Sequence, residues 1–254
     1  MAVENAEINH RRVLVTGASR GIGRAIAKRL AKDGWKVAIH YTQAKGDAES
    51  LANELGSMVS GIYQGDFSDF KNADLVFKQV ILDGDLHAIV NNAGVYRPVS
   101  FLDSSDEEFE CNVGSTFTVN LASPIRLMRL GAQYFAPRGG GKILNVASRV
   151  GFKAESGAST YAASKAALIN FTRSLSAELA PANIRLYGIA PGWVETAMAR
   201  EGMDTKVEEI LSTIPLGRMA KPEDCAAAAS FLLSDEADYL SGVVLDINGA
   251  SYFH

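Results

Sequence analysis

The 254-residue chain has little cysteine and no clustered metal ligands. Its two cysteines, Cys111 and Cys225, are too few for a disulfide framework and do not form a CxxC pair, so we expect both to be reduced and structural. The four histidines stand far apart, at positions 10, 40, 87 and 254. Zinc and related metals need several His, Cys or carboxylate ligands at close spacing, so we expect no metal site.

Long apolar runs and runs of lysine and arginine are also missing. The first segment, MAVENAEINHRRVLVTG, begins with polar and acidic residues, and its apolar run is too short for a signal peptide or a membrane span. The formal net charge at pH 7 is −4. A mildly acidic chain without a basic patch gives no reason to expect a nucleic-acid or anionic membrane partner, so we expect a cytoplasmic protein with neither.

The sequence does contain a regular alternation of short β-branched runs and longer segments of helical period. Hydrophobic residues make up 47 % of the chain and charged residues 21 %, which is typical of globular proteins. We predict a single doubly wound Rossmann-type α/β domain over residues 1–254, with a central parallel sheet of about seven strands, helices on both faces and an N-terminal tail at 1–10. The predicted strands lie at 12–17, 35–41, 58–66, 86–94, 141–148, 183–192 and 242–249.

Two stretches do not fit this alternation. Residues 95–135 predict a loop followed by a helix whose start is ambiguous, because Gly114, Ser115 and Thr116 interrupt the pattern. The other stretch, at about 192–221, separates the sixth strand from the next helix and is amphipathic only in patches. Ligands of such folds bind beyond the carboxyl ends of the strands, so we predict that this second stretch is a substrate lid.

The first strand is followed by a glycine-rich turn, TGASRGIGRAI, with glycines at Gly17, Gly21 and Gly23. Glycine lets the backbone turn sharply and approach a pyrophosphate, while free N–H groups and the positive end of the following helix receive its charge. The turn favours nucleotide binding, although many tight strand-to-helix turns hold no ligand.

A phenol and an ammonium, Tyr161 and Lys165, stand four residues apart in the segment YAASKAALINF. Four residues are just over one helical turn, so the two side chains are predicted to lie on one face. Taken alone, an aromatic residue and a lysine at this spacing are common on helix surfaces. The rest of the chain has to decide whether the pair is catalytic.

Further motifs follow the glycine turn in a fixed order. NNAG follows the fourth predicted strand, the dipeptide VN ends at Asn120, Ser148 stands thirteen residues before Tyr161, and PGWVET follows the sixth strand. Together with the glycine turn and Tyr-x-x-x-Lys, these motifs resemble the short-chain dehydrogenase/reductase family. The resemblance extends over about residues 12–250, which is nearly the whole chain.

The resemblance implies a catalytic set made of Asn120, Ser148, Tyr161 and Lys165. In the reduction of a ketone, Tyr161 protonates the oxygen while Ser148 holds and polarises it. By resemblance, Lys165 also holds the nicotinamide ribose and Asn120 steadies a water of a proton relay. An ammonium about 4 Å from the phenol, at an effective dielectric constant near 20, is worth about 4 kcal/mol, so we expect Lys165 to lower the pKa of Tyr161. Alone, Ser148 could simply fill a strand end and Asn120 could be an ordinary helix amide.

The charges near the end of the second strand predict the cofactor. Enzymes selective for NAD usually have an acid there, whereas this chain has Tyr41 and no carboxylate before Asp47. Arg20 in the glycine turn and the hydroxyl of Thr42 resemble the phosphate contacts of NADP-dependent acyl reductases, although Arg20 could also be a solvated surface charge. We predict NADP(H). The predicted cofactor-binding residues are Gly17, Ser19, Arg20, Gly21, Ile22, Gly23, Tyr41, Thr42, Asp66, Phe67, Asn92, Ala93, Gly94, Tyr161, Lys165, Pro191, Gly192, Val194 and Thr196.

Within the family, the sequence most resembles 3-oxoacyl-[acyl-carrier-protein] reductases of fatty acid biosynthesis, in segments such as VTGASRGIGRAIA and PGWVETAM. The resemblance implies an NADP-dependent carbonyl reductase whose substrate is a small molecule or is bound to a carrier, with a 3-oxoacyl thioester favoured. A reductase or dehydrogenase of another ketone or alcohol remains an alternative. A non-catalytic NADP-binding sensor or scaffold is the other alternative.

Two features depart from those reductases. Ala177 stands where a basic residue commonly helps to grip the acidic carrier, and CNVGSTFTVN is about four residues longer than the usual run. Three arginines, Arg126, Arg129 and Arg138, remain as candidate carrier contacts. The resemblance further implies a homotetramer, or a homodimer, built through the helices near 120–135 and 161–179 and the C-terminal strand.

Overall fold

Seven parallel strands form one sheet in the computed structural model, which describes residues 10–197 and 207–254. The strands are β1 Arg12–Val15, β2 Lys36–Tyr41, β3 Val59–Gln64, β4 Ala88–Asn91, β5 Gly141–Val146, β6 Ile184–Pro191 and β7 Val244–Ile247. Their order across the sheet is β3-β2-β1-β4-β5-β6-β7, and every neighbouring pair is parallel. The predicted fold class and number of strands are confirmed.

Both faces of the sheet are covered by helices. The helices are α1 Gly21–Lys32, α2 Lys45–Leu55, α3 Lys71–Leu82, α4 Asp106–Phe117, α5 Ser123–Phe135, α6 Ser159–Leu179, α7 Val207–Ser212 and α8 Pro222–Leu233. In β1, Val13 and Val15 belong to one apolar core and Leu14 belongs to the other, because successive side chains of a strand point to opposite faces.

The two cores assign the helices to the two faces. The core that contains Val13 receives buried side chains of α1, α2 and α8, which include Ile26, Leu51 and Leu232. The core that contains Leu14 receives buried side chains of α3, α5 and α6, which include Phe77, Met128 and Leu168. Helices on both faces of a parallel sheet make the doubly wound arrangement that the sequence predicts.

The sequence left the start of the helical region between β4 and β5 ambiguous, and the structure places it at Asp106. Helix α4 begins after Ser105, whose side chain accepts a hydrogen bond from Glu108 N–H while the Glu108 carboxylate accepts one from Ser105 N–H. Gly114 and its neighbours do not interrupt α4, which continues through the π-helical turn Thr118–Ala122 into α5. The four residues that the sequence adds before Asn120 therefore lie in continuous helix, where four residues are close to one turn.

Part of the predicted lid lies outside the described residues, at 198–206, and so does the N-terminal segment 1–9. In the described part, Val194 forms an isolated bridge with Ala220, and Ile210 and Ile214 form a small apolar cluster with Trp193. No helix among the described residues is long and apolar enough to cross a membrane.

Candidate active site

The glycine turn is packed against the residues that follow β4. A Cβ atom on Gly23 would lie 2.4 Å from the carbonyl oxygen of Gly17 and 2.4 Å from Nδ2 of Asn92. Gly17 itself has a φ of +61°, and a Cβ atom there would lie 3.0 Å from Cα of Ala93. Gly17 needs glycine because its backbone is left-handed and close to Ala93, and Gly23 needs glycine because a side chain there would meet Gly17 and Asn92.

Hydrogen bonds join the NNAG segment to this turn. The hydroxyl of Thr16 accepts from the backbone N–H groups of Asn92 and Ala93, at 2.9 and 3.0 Å, and donates to Val90 O at 3.2 Å. The side chain of Asn92 donates to the carbonyls of Thr16 and Gly17, at 2.9 and 3.1 Å. The turn therefore lies between β1 and β4, where the strand order reverses and such sheets bind ligands.

Two of the predicted catalytic side chains meet beside Gly94. A Cβ atom on Gly94 would lie 3.2 Å from Oδ1 of Asn120 and 3.6 Å from Nζ of Lys165. Asn120 is fully buried in the π-helical turn, where it accepts from Val95 N–H at 2.8 Å and donates to Val95 O at 2.9 Å. The structure thus brings the chain after β4, the π-helical turn and α6 to one point.

Lys165 is buried on α6, with only 4 % of its surface exposed. Its ammonium donates to Val146 O at 2.8 Å, and Nζ lies 5.6 Å from the ring centroid of Tyr161. Burial lowers the pKa of Lys165 from its ordinary value to about 8. Because the tyrosine and the lysine share one face of the first two turns of α6, the predicted arrangement of the pair is confirmed.

The expected lowering of the Tyr161 pKa by Lys165 is wrong in this structure. Burial raises the pKa of Tyr161 to about 12, and a hydrogen bond with Ser148 is the contribution that lowers it. The charge of Glu155 and the neighbouring Tyr96 raise it further. The physical reason is that burial disfavours the phenolate, while the ammonium of Lys165 is directed to a backbone carbonyl and lies over the ring.

The adenosine-side residues lie at the carboxyl ends of β2 and β3. Tyr41 is buried, Thr42 donates from Oγ1 to Gly65 O at 3.2 Å, and the exposed carboxylate of Asp66 accepts from Ser68 N–H at 2.9 Å. The ring of Phe67 is buried in the sheet core, so only its backbone is available to a ligand.

Residues of the glycine turn and of the PGWVET segment complete the cofactor side. Arg20 is exposed at the start of α1 and forms no salt bridge within the described residues, whereas Ser19 is buried and Ile22 packs against the core. Gly21 faces Thr196, since a Cβ atom on Gly21 would lie 3.4 Å from Cγ2 of Thr196. The other members of the PGWVET set lie at the end of β6 and just beyond it; these are Pro191, Gly192 and Val194.

Sequence reasoning missed three neighbours of the site. The ring of Tyr96 lies edge-on to Tyr161 with centroids 5.2 Å apart, and Glu155 forms a 2.6 Å ion pair with the buried Arg149. His40 is fully buried between the glycine turn and the end of β3. Tyr96 could have been found from its position two residues after NNAG, but nothing in the sequence distinguishes Glu155 or His40.

Comparisons with known proteins identify the family of this site. A family model described as Enoyl-(Acyl carrier protein) reductase matches residues 17–250. A crystal structure of a short chain dehydrogenase from Burkholderia cenocepacia in complex with NADP has a TM-score of 0.86 and 31 % identity, covering 95 % of this chain and 97 % of that one. The chain belongs to the short-chain dehydrogenase/reductase family. The family predicted from the motifs is therefore confirmed.

Other members of the family are similar over nearly their whole length. The 3-oxoacyl-[acyl-carrier-protein] reductase of Escherichia coli is 37 % identical over 240 residues, which are 94 % of this chain and 96 % of that protein. A crystal structure of the 3-ketoacyl-(acyl-carrier-protein) reductase of Brucella melitensis, complexed with NADH, has a TM-score of 0.85 and 33 % identity, covering 96 % of this chain and 98 % of that one. The roles of individual residues in this chain stay predictions.

Proposed function

We propose that this protein is an NADP(H)-dependent oxidoreductase that interconverts a ketone and a secondary alcohol, with Tyr161 as the acid and base, in one catalytic domain. The carrying observation is the convergence of Asn120 and Lys165 beside Gly94, next to the glycine turn, with Tyr161 on the same face of α6 as Lys165. A scaffold that only binds a nucleotide needs no tyrosine, whose pKa Ser148 influences, one helical turn from a buried lysine, so catalysis is favoured over the sensor alternative.

The residues present fit a dinucleotide. Gly17 and Gly23 carry no side chain that could block a pyrophosphate from approaching the backbone at the start of α1. We assign the nicotinamide ribose to Lys165, the nicotinamide to the segment of Val194 and Thr196, and the adenine to the loop after β3 that contains Asp66. When bound, a reduced nicotinamide supplies the hydride.

The protonation states of the site fit the roles that reduction of a carbonyl requires. With a pKa of about 12, Tyr161 holds its proton at neutral pH and donates it to an oxygen on which negative charge develops. Ser148 donates a hydrogen bond that orients the reacting oxygen. With a pKa of about 8, Lys165 is mostly protonated at neutral pH and keeps a positive charge beside the site.

Preference for NADP(H) is supported by the residues around the adenosine. No carboxylate stands at the end of β2, where Tyr41 is buried, and the exposed Arg20 is available for a phosphate. One related structure is titled as a complex with NADP and another as a complex with NADH. We assign the 2′-phosphate of NADPH to Arg20 and Thr42.

The favoured substrate is a 3-oxoacyl thioester, although some of the candidate contacts with a carrier protein are missing or already paired. This substrate is supported by the similarity to 3-oxoacyl-[acyl-carrier-protein] reductases. Of the candidate carrier contacts, Arg126 is already paired with Asp74, while Arg129 and Arg138 are exposed. Ala177 is exposed without a charge. A thioester carried by a small molecule, or another ketone, therefore stays open as an alternative.

The experiment that tests this proposal is a panel of substrates assayed through the absorbance of NADPH. The panel contains 3-oxoacyl thioesters on acyl carrier protein and on a small thiol, together with simple ketones and sugar ketones. Highest kcat/KM for a 3-oxoacyl thioester supports the proposal. Turnover of another ketone alone supports the alternative substrate, and absence of turnover with intact NADPH binding supports the sensor.

We also propose a homotetramer, or at least a homodimer. The last strand, β7, is an edge of the sheet, and the large side chains of Tyr239 and Phe253, which flank it in the sequence, are exposed. An open edge with apolar side chains beside it favours pairing with a second copy. Light scattering after size-exclusion chromatography tests the assembly, and a monomer at micromolar concentration contradicts it.

A further inference from the structure

His40 is the buried titratable group nearest to the glycine turn, and the catalytic chemistry does not use it. It lies near the end of β2 with no exposed surface. Its Nδ1 accepts from Gly17 N–H at 3.1 Å, and its Nε2 lies 3.0 Å from Gly65 O. A backbone N–H only donates and a carbonyl only accepts, so the ring is neutral with its proton on Nε2.

The surroundings of His40 fix this state. The ring stacks on Phe67, with centroids 4.2 Å apart and an angle of 10° between the planes. Burial lowers the pKa of His40 to about 4, so the ring stays neutral at physiological pH. The imidazole therefore links the first glycine of the turn to the residue after β3 through two hydrogen bonds.

The Gly65 carbonyl has a second donor, the hydroxyl of Thr42, at 3.2 Å. Gly65 is buried, and a buried carbonyl that loses its partners carries a free-energy penalty. Because His40 also donates to this oxygen, the Thr42 hydroxyl can turn to another acceptor without leaving the carbonyl unpaired. Thr42 is one of the two residues to which we assign the adenosine phosphate of NADPH.

We propose that His40 is a positioning residue of the cofactor site: it holds the Gly17 turn in place and keeps Gly65 O paired when Thr42 turns to the adenosine phosphate. The inference rests on the proposed function, since it assumes that the turn binds NADP(H). His40 does not touch the cofactor in this account and acts only through Gly17 and through the Gly65 carbonyl that it shares with Thr42.

Two substitutions separate the two hydrogen bonds. His40→Phe keeps a ring against Phe67 and removes both bonds. His40→Asn places an amide oxygen near the position of Nδ1, so it retains the bond to Gly17 but cannot reach Gly65. Thr42→Val, alone and combined with each variant, removes the hydroxyl that is proposed to turn from Gly65 O to the adenosine phosphate.

The test measures NADPH and NADH dissociation constants by fluorescence, together with hydrogen exchange of the Gly17 amide in the cofactor-free enzyme. Both His40 variants are expected to weaken NADPH by about tenfold more than NADH, which corresponds to about 1.4 kcal/mol. This difference is expected to shrink to about twofold in the Thr42→Val background, because no hydroxyl is then released. Exchange of the Gly17 amide is expected to accelerate in His40→Phe and to stay slow in His40→Asn.

Three results would overturn the inference. One is a lower melting temperature with dissociation constants that stay within about twofold of wild type, since a structural role alone gives that pattern. Another is an equal loss of NADPH and NADH affinity in His40→Asn. The third is unchanged exchange of the Gly17 amide in His40→Phe. Failure of the proposed function would give a different result: the wild-type enzyme would bind NADH as tightly as NADPH. The exchange rate of the Gly17 amide would then still show whether His40 holds the turn.

Discussion

Replacing Arg20 by alanine is expected to weaken NADPH binding selectively. Arg20 stands in extended conformation immediately before α1, is exposed, and lies in the turn that receives the phosphates. A hydrogen bond to a charged group contributes about 1.5–3 kcal/mol, and solvent screening at an exposed arginine favours the lower part of this range. A loss of about 1.5–2 kcal/mol corresponds to a dissociation constant for NADPH that is about 10- to 30-fold higher.

NADH lacks the 2′-phosphate, so its dissociation constant is expected to change by less than about threefold, which is under 0.7 kcal/mol. Titration calorimetry or nucleotide fluorescence measures both constants. Higher salt is expected to weaken NADPH binding more in the wild type than in the Arg20→Ala enzyme, because salt screens the arginine–phosphate contact that only the wild type makes.

The matched control for this prediction is Arg29→Ala, in the last turn of the same helix. Arg29 pairs with Asp33 at 2.9 Å on the surface, away from the glycine turn. Such exposed pairs contribute at most about 1 kcal/mol to stability, and the control should bind both nucleotides normally. Equal losses of NADPH and NADH affinity in Arg20→Ala, or the same selective loss in Arg29→Ala, would refute the reasoning about the phosphate.

Two further predictions concern stability. Gly23→Ala places a Cβ atom 2.4 Å from the Gly17 carbonyl oxygen. It is therefore expected to lower the free energy of urea unfolding by about 1–3 kcal/mol and to impair nucleotide binding. The control, Gly46→Ala in α2, adds its methyl group to open space and is expected to be neutral or stabilising by up to about 1 kcal/mol. Lys165→Met is expected to change the pH dependence of unfolding. The pKa of Lys165 is lowered to about 8 in the folded protein, so between pH 8 and its ordinary value of 10.5 the unfolded chain binds more protons than the folded one. Wild type is therefore expected to gain about 3 kcal/mol relative to the variant as the pH rises through this window.

Each stability prediction has a clear contrary result. Equal unfolding midpoints for Gly23→Ala and Gly46→Ala would show that the turn relaxes freely around an added methyl group. Parallel stability curves for wild type and Lys165→Met between pH 8 and 10.5 would show that the ammonium is hydrated in the folded protein.

The fold and the family could be predicted from the sequence because their signals are local. Alternating strand and helix periods predicted the seven parallel strands, and the spacing of Gly17, Gly21 and Gly23 is typical of a dinucleotide-binding turn. Tyr161 and Lys165 share a helix face simply because they are four residues apart. The start of α4 was ambiguous, because Gly114 and its neighbours are weak helix formers whose cost is offset by the capping box at Ser105.

The electrostatics of the site could not be predicted in the same way. The pKa of Tyr161 depends on burial and on Glu155, and both are set by tertiary packing that no spacing reveals. The expected effect of Lys165 is outweighed because burial of Tyr161 is the largest contribution to its pKa, and the Lys165 ammonium donates to Val146 O. His40 was likewise hidden, since its two backbone partners are Gly17 in the turn and Gly65, the residue that follows β3.

The measurement that tests the central claim most directly is turnover and NADPH binding by Tyr161→Phe. The variant keeps the ring and removes the proton that the reaction needs, so kcat is expected to fall by at least about 100-fold while the dissociation constant of NADPH stays near that of wild type. Tyr96→Phe is the matched control, because Tyr96 packs edge-on against Tyr161 and donates no proton in this account. An unchanged rate in Tyr161→Phe, or an equal loss in Tyr96→Phe, would contradict the assignment of Tyr161 as the acid.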